Sequence, residues 1–98
     1  MAINWNSFSS SLKAETCPPQ YDLLLKALWN DAKGGWSKAH ILVDNLTTTE
    51  GAWVHAYLHR KEGDLSNADY WYRRARRKRP EISLEEEWKE LVRYFLLQ

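Results

Sequence analysis

Residues 52–80, AWVHAYLHRKEGDLSNADYWYRRARRKRP, decide the fold. Ala52, Ala56 and the apolar positions around them recur at helical spacing up to Gly63-Asp64, where the chain turns. Ala68, Trp71, Tyr72 and Ala75 then mark a second helix, closed by Pro80. A fainter copy lies upstream. Residues 23–43 placed over 52–72 without gaps match Ala27 with Ala56, Gly34 with Gly63, Ser37 with Ser66 and Ala39 with Ala68. The matched positions are the small residues that let two helices approach and the glycine that turns between them. An internal repeat of this kind predicts consecutive helical hairpins that bury their apolar faces on one another.

Outward from this hairpin, the pattern predicts an all-α fold. Residues 1–17 are Ser-rich, with apolar Ile3, Trp5, Phe8 and Leu12, and read as a lead-in or a short helix because serine is a poor helix former. Pro18 and Pro19 suit the start of a helix over residues 19–32, and Gly34-Gly35 ends it. The second helix spans residues 36–46. Thr47 and Glu50 have capping-box spacing before a third helix at 48–62, and Asp64 or Ser66 opens a fourth at 65–79. Ser83 and Glu86 form a second capping box before a fifth helix at 84–97, whose Leu84, Trp88, Leu91, Val92, Phe95 and Leu96 make one stripe. The expected architecture is one domain over residues 1–98: five helices as stacked antiparallel hairpins, the last one a C-terminal cap.

Within this frame the second hairpin resembles the tetratricopeptide repeat, and especially its Sel-type variant. Ala56, Gly63, Ala68 and Ala75 fall on that repeat's spacing of small residues. The Sel-type signature Ala-x-x-Trp-Tyr-x-Lys/Arg-Ala matches Ala68, Trp71, Tyr72, Arg74 and Ala75. His59 departs from it, standing where an aromatic is usual. AHILV, WVHAYLHRKEGD and NADYWYRRA are also similar to a family of small microbial proteins without assigned function. The resemblance implies a tetratricopeptide-like fold and a role in protein–protein interaction.

Composition narrows the function classes. Six Trp and five Tyr, against two Phe and one Met, make aromatic rings the main core material. Cys17 is the single cysteine, so no internal disulfide forms, and no apolar run reaches the length of a membrane span or an export signal. The cytoplasm is the expected compartment, and no membrane partner is expected. Net charge is +1, but it is unevenly distributed: Arg73, Arg74, Arg76, Arg77, Lys78 and Arg79 are followed by Glu81, Glu85, Glu86, Glu87 and Glu90. The run reads as a phosphate-binding patch or as a solvated helix end paired with the acids that follow it. The second reading is preferred, so nucleic acid is not the expected partner.

Two further constellations lie on the third helix. Trp53, Tyr57, Arg60 and Lys61 follow i, i+4, i+7, i+8 spacing, an aromatic strip ending in two cations. It suits an extended peptide with an acidic group, or a second copy of the chain; the structural alternative packs the rings under the first hairpin. His55 and His59, one turn apart, with Glu62 behind them, have the spacing of helix-borne metal ligands. Their structural alternative is a semi-buried pair bonded to Tyr70, Asp69 or Asp44. His40 on the second helix is a further imidazole whose distance from the pair the sequence does not give. Residues for nucleophilic catalysis are absent from any recognisable pattern: Cys17 precedes two prolines, and no serine sits in a Gly-rich elbow. No cofactor is called for. The sequence therefore predicts a non-enzymatic interaction module, with a metal-binding protein or enzyme using His55, His59 and Glu62, and nucleic-acid binding through the basic run of residues 73–79, as the alternatives.

Overall fold

Six helices account for the regular structure of a computed structural model that describes residues 3–98. They are α1 (Trp5–Ser11), α2 (Leu23–Ala32), α3 (Trp36–Val43), α4 (Thr49–Glu62), α5 (Leu65–Arg74) and α6 (Leu84–Leu96), and the described residues contain no strand. Met1 and Ala2, the start of the lead-in read as lacking an export signal, lie outside the described residues. The chain is all-α as expected, with the short N-terminal helix as the sixth.

Local signals explain most boundaries and correct four. The Ser-rich lead-in becomes helical because Asn4 caps it, its Oδ1 accepting from the Ser7 N–H at 2.8 Å, and because Phe8 is fully buried. α2 begins after Asp22 rather than at Pro19: the Asp22 carboxylate accepts from the Leu25 N–H at 2.9 Å, a better N-cap than a proline turn offers. α4 is capped by Thr48, whose hydroxyl accepts from the Gly51 N–H at 3.0 Å, one residue later than the Thr47 box predicts. Ser83 caps α6 as expected, accepting from the Glu86 N–H at 3.0 Å.

The other two corrections are helix ends: α5 stops at Arg74 rather than Arg79, and α3 ends at Val43 rather than Leu46. After α5 the Arg77 N–H reaches the Tyr72 carbonyl at 2.9 Å and the Arg76 N–H reaches the Arg73 carbonyl at 3.0 Å, with Arg76 at φ 60. That pair of bonds and a left-handed residue form a Schellman closure, so the basic run mostly lies beyond the helix.

α2 packs on α3 and α4 on α5, giving the two hairpins. α6 crosses both, touching α2 and α4, and Trp88 donates its indole N–H to the Leu28 carbonyl at 3.0 Å. α1 lies against α6, with Trp5 edge-on to Trp88 at 6.0 Å between ring centres. One core of buried residues runs from Phe8 through Leu28, Val54, Leu58 and Tyr72 to Phe95. α4 is its axis: every residue from Gly51 to His59 is buried, so the helix has no solvent face over those nine positions.

Candidate functional site

Being surrounded, α4 presents side chains in opposite directions to different neighbours. On the side facing α2 and α6, Trp53 and Tyr57 are 5% and 2% exposed. The Trp53 indole N–H donates to Glu87 Oε2 at 3.2 Å, and Arg60 Nη1 donates to Glu87 Oε1 at 2.8 Å. Arg60 also donates to the Ile82 carbonyl, and the Tyr72 hydroxyl to Glu87 at 2.7 Å. Tyr57 donates its hydroxyl to Asp31 at 3.0 Å, and Lys61 reaches the other oxygen of the same carboxylate at 3.0 Å. Trp53, Tyr57 and Arg60 of the strip expected to hold a peptide are therefore covered by α6 and α2, and Lys61 alone stands exposed at its edge. The structural reason is the pair of buried carboxylates Glu87 and Asp31, each 1% exposed, which draw the cations and phenols inward.

Those two acids were not singled out in the sequence. Their signal was positional: Glu87 precedes Leu91 by one turn within the apolar stripe of α6, and Asp31 follows Ala27 by one turn on the buried face of α2. Burial and the carboxylate contacts push the Tyr57 and Tyr72 phenols well above their ordinary range. For Tyr57 burial is the largest cause and the Asp31 charge the next; for Tyr72 burial is followed by the hydrogen bond to Glu87. These phenols stay protonated donors, as structural groups do.

The opposite side of α4 is different. His55 and His59, one turn apart, are 2% and 6% exposed, and His40 of α3 comes to meet them. His40 Nε2 and His55 Nε2 are 3.1 Å apart, and one ligand nitrogen from each of the three imidazoles lies within 4.8 Å of the other two. Indole rings hold them: Trp36 stacks on His40 at 4.9 Å and 8°, and Trp71 on His55 at 3.9 Å and 17°. Trp36 is itself fixed by donating its N–H to the Leu58 carbonyl at 2.7 Å. The signal for His40 was its place on the i, i+4 row Trp36–His40–Asp44, beside the buried Ala39 and Val43.

Glu62 does not join the two α4 histidines as a third ligand, as the spacing predicts. It stands behind His59, its Oε2 2.6 Å from Nδ1. In the neutral imidazole tautomer that donates Nδ1–H to this carboxylate, Nε2 carries the lone pair, and the Asn67 amide nitrogen stands 3.5 Å from it. A carboxylate behind a histidine is the usual outer partner of a metal ligand, since it fixes the tautomer and raises basicity. The partners of the pair are thus His40, Glu62 and Asn67, and not Tyr70, Asp69 or Asp44. Asp44 lies at the outer edge, its Oδ1 3.9 Å from His40 Nε2 and its side chain 56% exposed. A second set, His59, Glu62 and Asp64, consists mainly of exposed acids.

The electrostatics favour a neutral imidazole at His55. Burial, then the neighbouring His59 and His40, lower the His55 pKa to about 4, with Asp44 opposing the shift. At neutral pH His55 is uncharged and free to donate a lone pair. Its Nδ1 is buried without any hydrogen-bond partner, one of two such side-chain atoms among the described residues.

The basic run is found where the fold leaves it, on the surface beyond α5. All six of its cations are exposed. Pairing with the acids of residues 81–90 does not occur: Glu87 takes Arg60, Glu85 takes Lys89, and Arg79 pairs instead with Asp69 at 3.2 Å. Among the described residues no helix is long and apolar enough to cross a membrane. Comparison with family models, with curated proteins and with solved structures yields no match to this chain.

Proposed function

We propose that this chain binds a divalent transition-metal ion between α3 and α4, through His40, His55 and His59. One observation carries the reading: three imidazoles from two helices converge, with ligand nitrogens within 4.8 Å of one another. A tetrahedral zinc ion with Zn–N bonds of about 2.0–2.1 Å separates its ligand nitrogens by roughly 3.3 Å. The His40–His55 separation of 3.1 Å is close to that value. Imidazole donors suit zinc, copper and nickel and disfavour calcium and magnesium. Glu62 supplies the outer carboxylate, and the exposed Asp44 side leaves the fourth position to a carboxylate oxygen or water.

The geometry supports a binding role rather than a catalytic one. Trp36 and Trp71 wall the imidazoles, and none of the three histidines lines the surface cavities of about 160–540 Å³, although Trp36 borders the one of 540 Å³. An ion there would tie the first hairpin to the second. Protein interaction through the α4 strip is not proposed, because its rings Trp53 and Tyr57 are buried and Lys61 alone is exposed.

The test uses untagged protein stripped with chelator and titrated with zinc while heat is measured. Binding of about one equivalent, lost in His40→Ala and His59→Ala, is expected; less than roughly a tenth of an equivalent sinks the reading. Cobalt in place of zinc gives visible bands whose intensity reports four-coordination. Glu62→Gln should weaken zinc binding by roughly 10–100-fold and leave the stoichiometry intact.

A further inference from the structure

Two of the helices end on glycines in the left-handed region, Gly34 at φ 83 and Gly63 at φ 90. α5 ends on Arg76 at φ 60, the one non-glycine residue with positive φ among the described residues. A Schellman closure normally takes glycine here, because a Cβ crowds the backbone in this conformation. Position 76 thus keeps a cation where glycine is the lower-energy choice. Strain of this kind gathers at functional surfaces.

The closure also gathers charge. Arg73, Arg77, Lys78 and Arg79, with Asp69 and Tyr72, line a surface cavity of about 330 Å³. Asp69 is the sole carboxylate there, and Arg79 already holds it at 3.2 Å. Arg73, Arg76 and Lys78 have no carboxylate within 4.0 Å among the described residues. Arg77 lies flat on the Trp53 ring, its guanidinium carbon 3.4 Å from the ring centre, which fixes it in place with its charge unpaired. One turn back, Tyr70 is 45% exposed, and Arg74 Nη1 donates to its hydroxyl at 3.3 Å.

We propose that this surface binds single-stranded nucleic acid, with phosphates on Arg73, Arg76 and Lys78 and a base against Tyr70. Unpaired arginine forks match phosphate oxygens, and an exposed ring one helical turn before Arg73 and Arg74 gives the sequence-tolerant stacking that single strands use. A duplex is a poorer fit, since most of the cations sit on a turn and no helix is offered to a groove. A lipid surface is a poorer fit too: the single apolar residue of 73–79, Ala75, is buried, which leaves nothing to insert. The rest of the chain has eight basic against thirteen acidic residues, so the footprint is confined to this patch. Three to four neutralised phosphates follow.

The experiment measures fluorescence anisotropy of a labelled mixed-sequence oligonucleotide of about 20 nucleotides, in EDTA so that the histidine site plays no part. With three to four phosphates the slope of log K against log salt should be roughly −2 to −3. Arg76→Gly is the decisive variant. It relieves the backbone, so Tm should rise by roughly 2–6 °C, while affinity at 0.1 M salt falls roughly fivefold through the lost phosphate contact. Tyr70→Ala should weaken binding at least about fivefold. The proposal is overturned if Arg76→Gly binds as tightly as the parent, or if the oligonucleotide is not bound. Equal competition by poly-glutamate, charge for charge, or retention on phosphatidylserine vesicles in preference to the oligonucleotide, would also overturn it.

Discussion

On one side of α4, Trp53, Tyr57, Arg60 and Lys61 reach two buried carboxylates, and each of these polar groups finds a partner. On the other side, His55 and His59 meet His40 with two nitrogens facing each other at 3.1 Å and a third, His55 Nδ1, left alone. The helix, the burial and the aromatic surroundings are alike. The difference is one atom: every polar group on the first side has a partner, and on the second the imidazoles bond to His40, Glu62 and Asn67 but leave His55 Nδ1 without one. Natural cores satisfy theirs, and departures concentrate where something else is to be bound. By that rule the side selected by sequence spacing as a peptide surface is framework, and the side that reads as a semi-buried pair is the one proposed to bind the ion.

The comparison breaks most visibly if Glu87 is removed. Glu87→Ala leaves the Arg60 guanidinium, the Tyr72 hydroxyl and the Trp53 N–H buried without their acceptor. A buried ion pair broken on one side destabilises by about 3–5 kcal/mol. Urea unfolding should register a loss of that order, and a loss below about 1 kcal/mol would mean that α6 does not seal the α4 strip.

The second effect belongs to the imidazole side. Burial holds folded His55 at about 4, against its ordinary 6.5, so between these values the unfolded chain binds more protons. Stability then falls as pH drops from about 6.5 to about 4, by about 3 kcal/mol, and is flat in this respect above that window. Chelator-treated protein unfolded in urea at several pH values gives the curve. A flat profile between pH 6.5 and 4 would place His55 in contact with water.

Much of the fold was written in local pattern, and the parts that were not have a common cause. The stripe on α6 and its Ser83 cap are decided by residues within a few positions of one another, as are the glycine turns at 34 and 63. The end of α5 escaped because Arg76 carries no local mark of a left-handed residue; only the closure onto Tyr72 and Arg73 fixes it there. The α4 strip was misread because periodicity reports which residues share a face and not what covers it. Asp31 and Glu87, which do the covering, lie far along the chain. The same limit applies to the site: the His55–His59 spacing was legible, whereas His40 enters only through the packing of α3 on α4.

The smallest effect separates the two sides most cleanly. If the imidazole cluster were framework like the Glu87 network, His55→Leu would lower stability, for it would remove a paired polar group. The orphan Nδ1 predicts the reverse. Leucine fills a similar volume against Trp71 and has no nitrogen to desolvate, so the metal-free protein should gain up to about 1 kcal/mol at pH 7. The acid-side loss of stability should shrink in the same variant, because the group that must take up a proton is gone. Zinc binding should disappear with it. A variant more stable than its parent and unable to bind the ion would show that His55 is kept for the ion and not for the fold. A variant that is less stable, with an unchanged pH profile, would return all three histidines to the core.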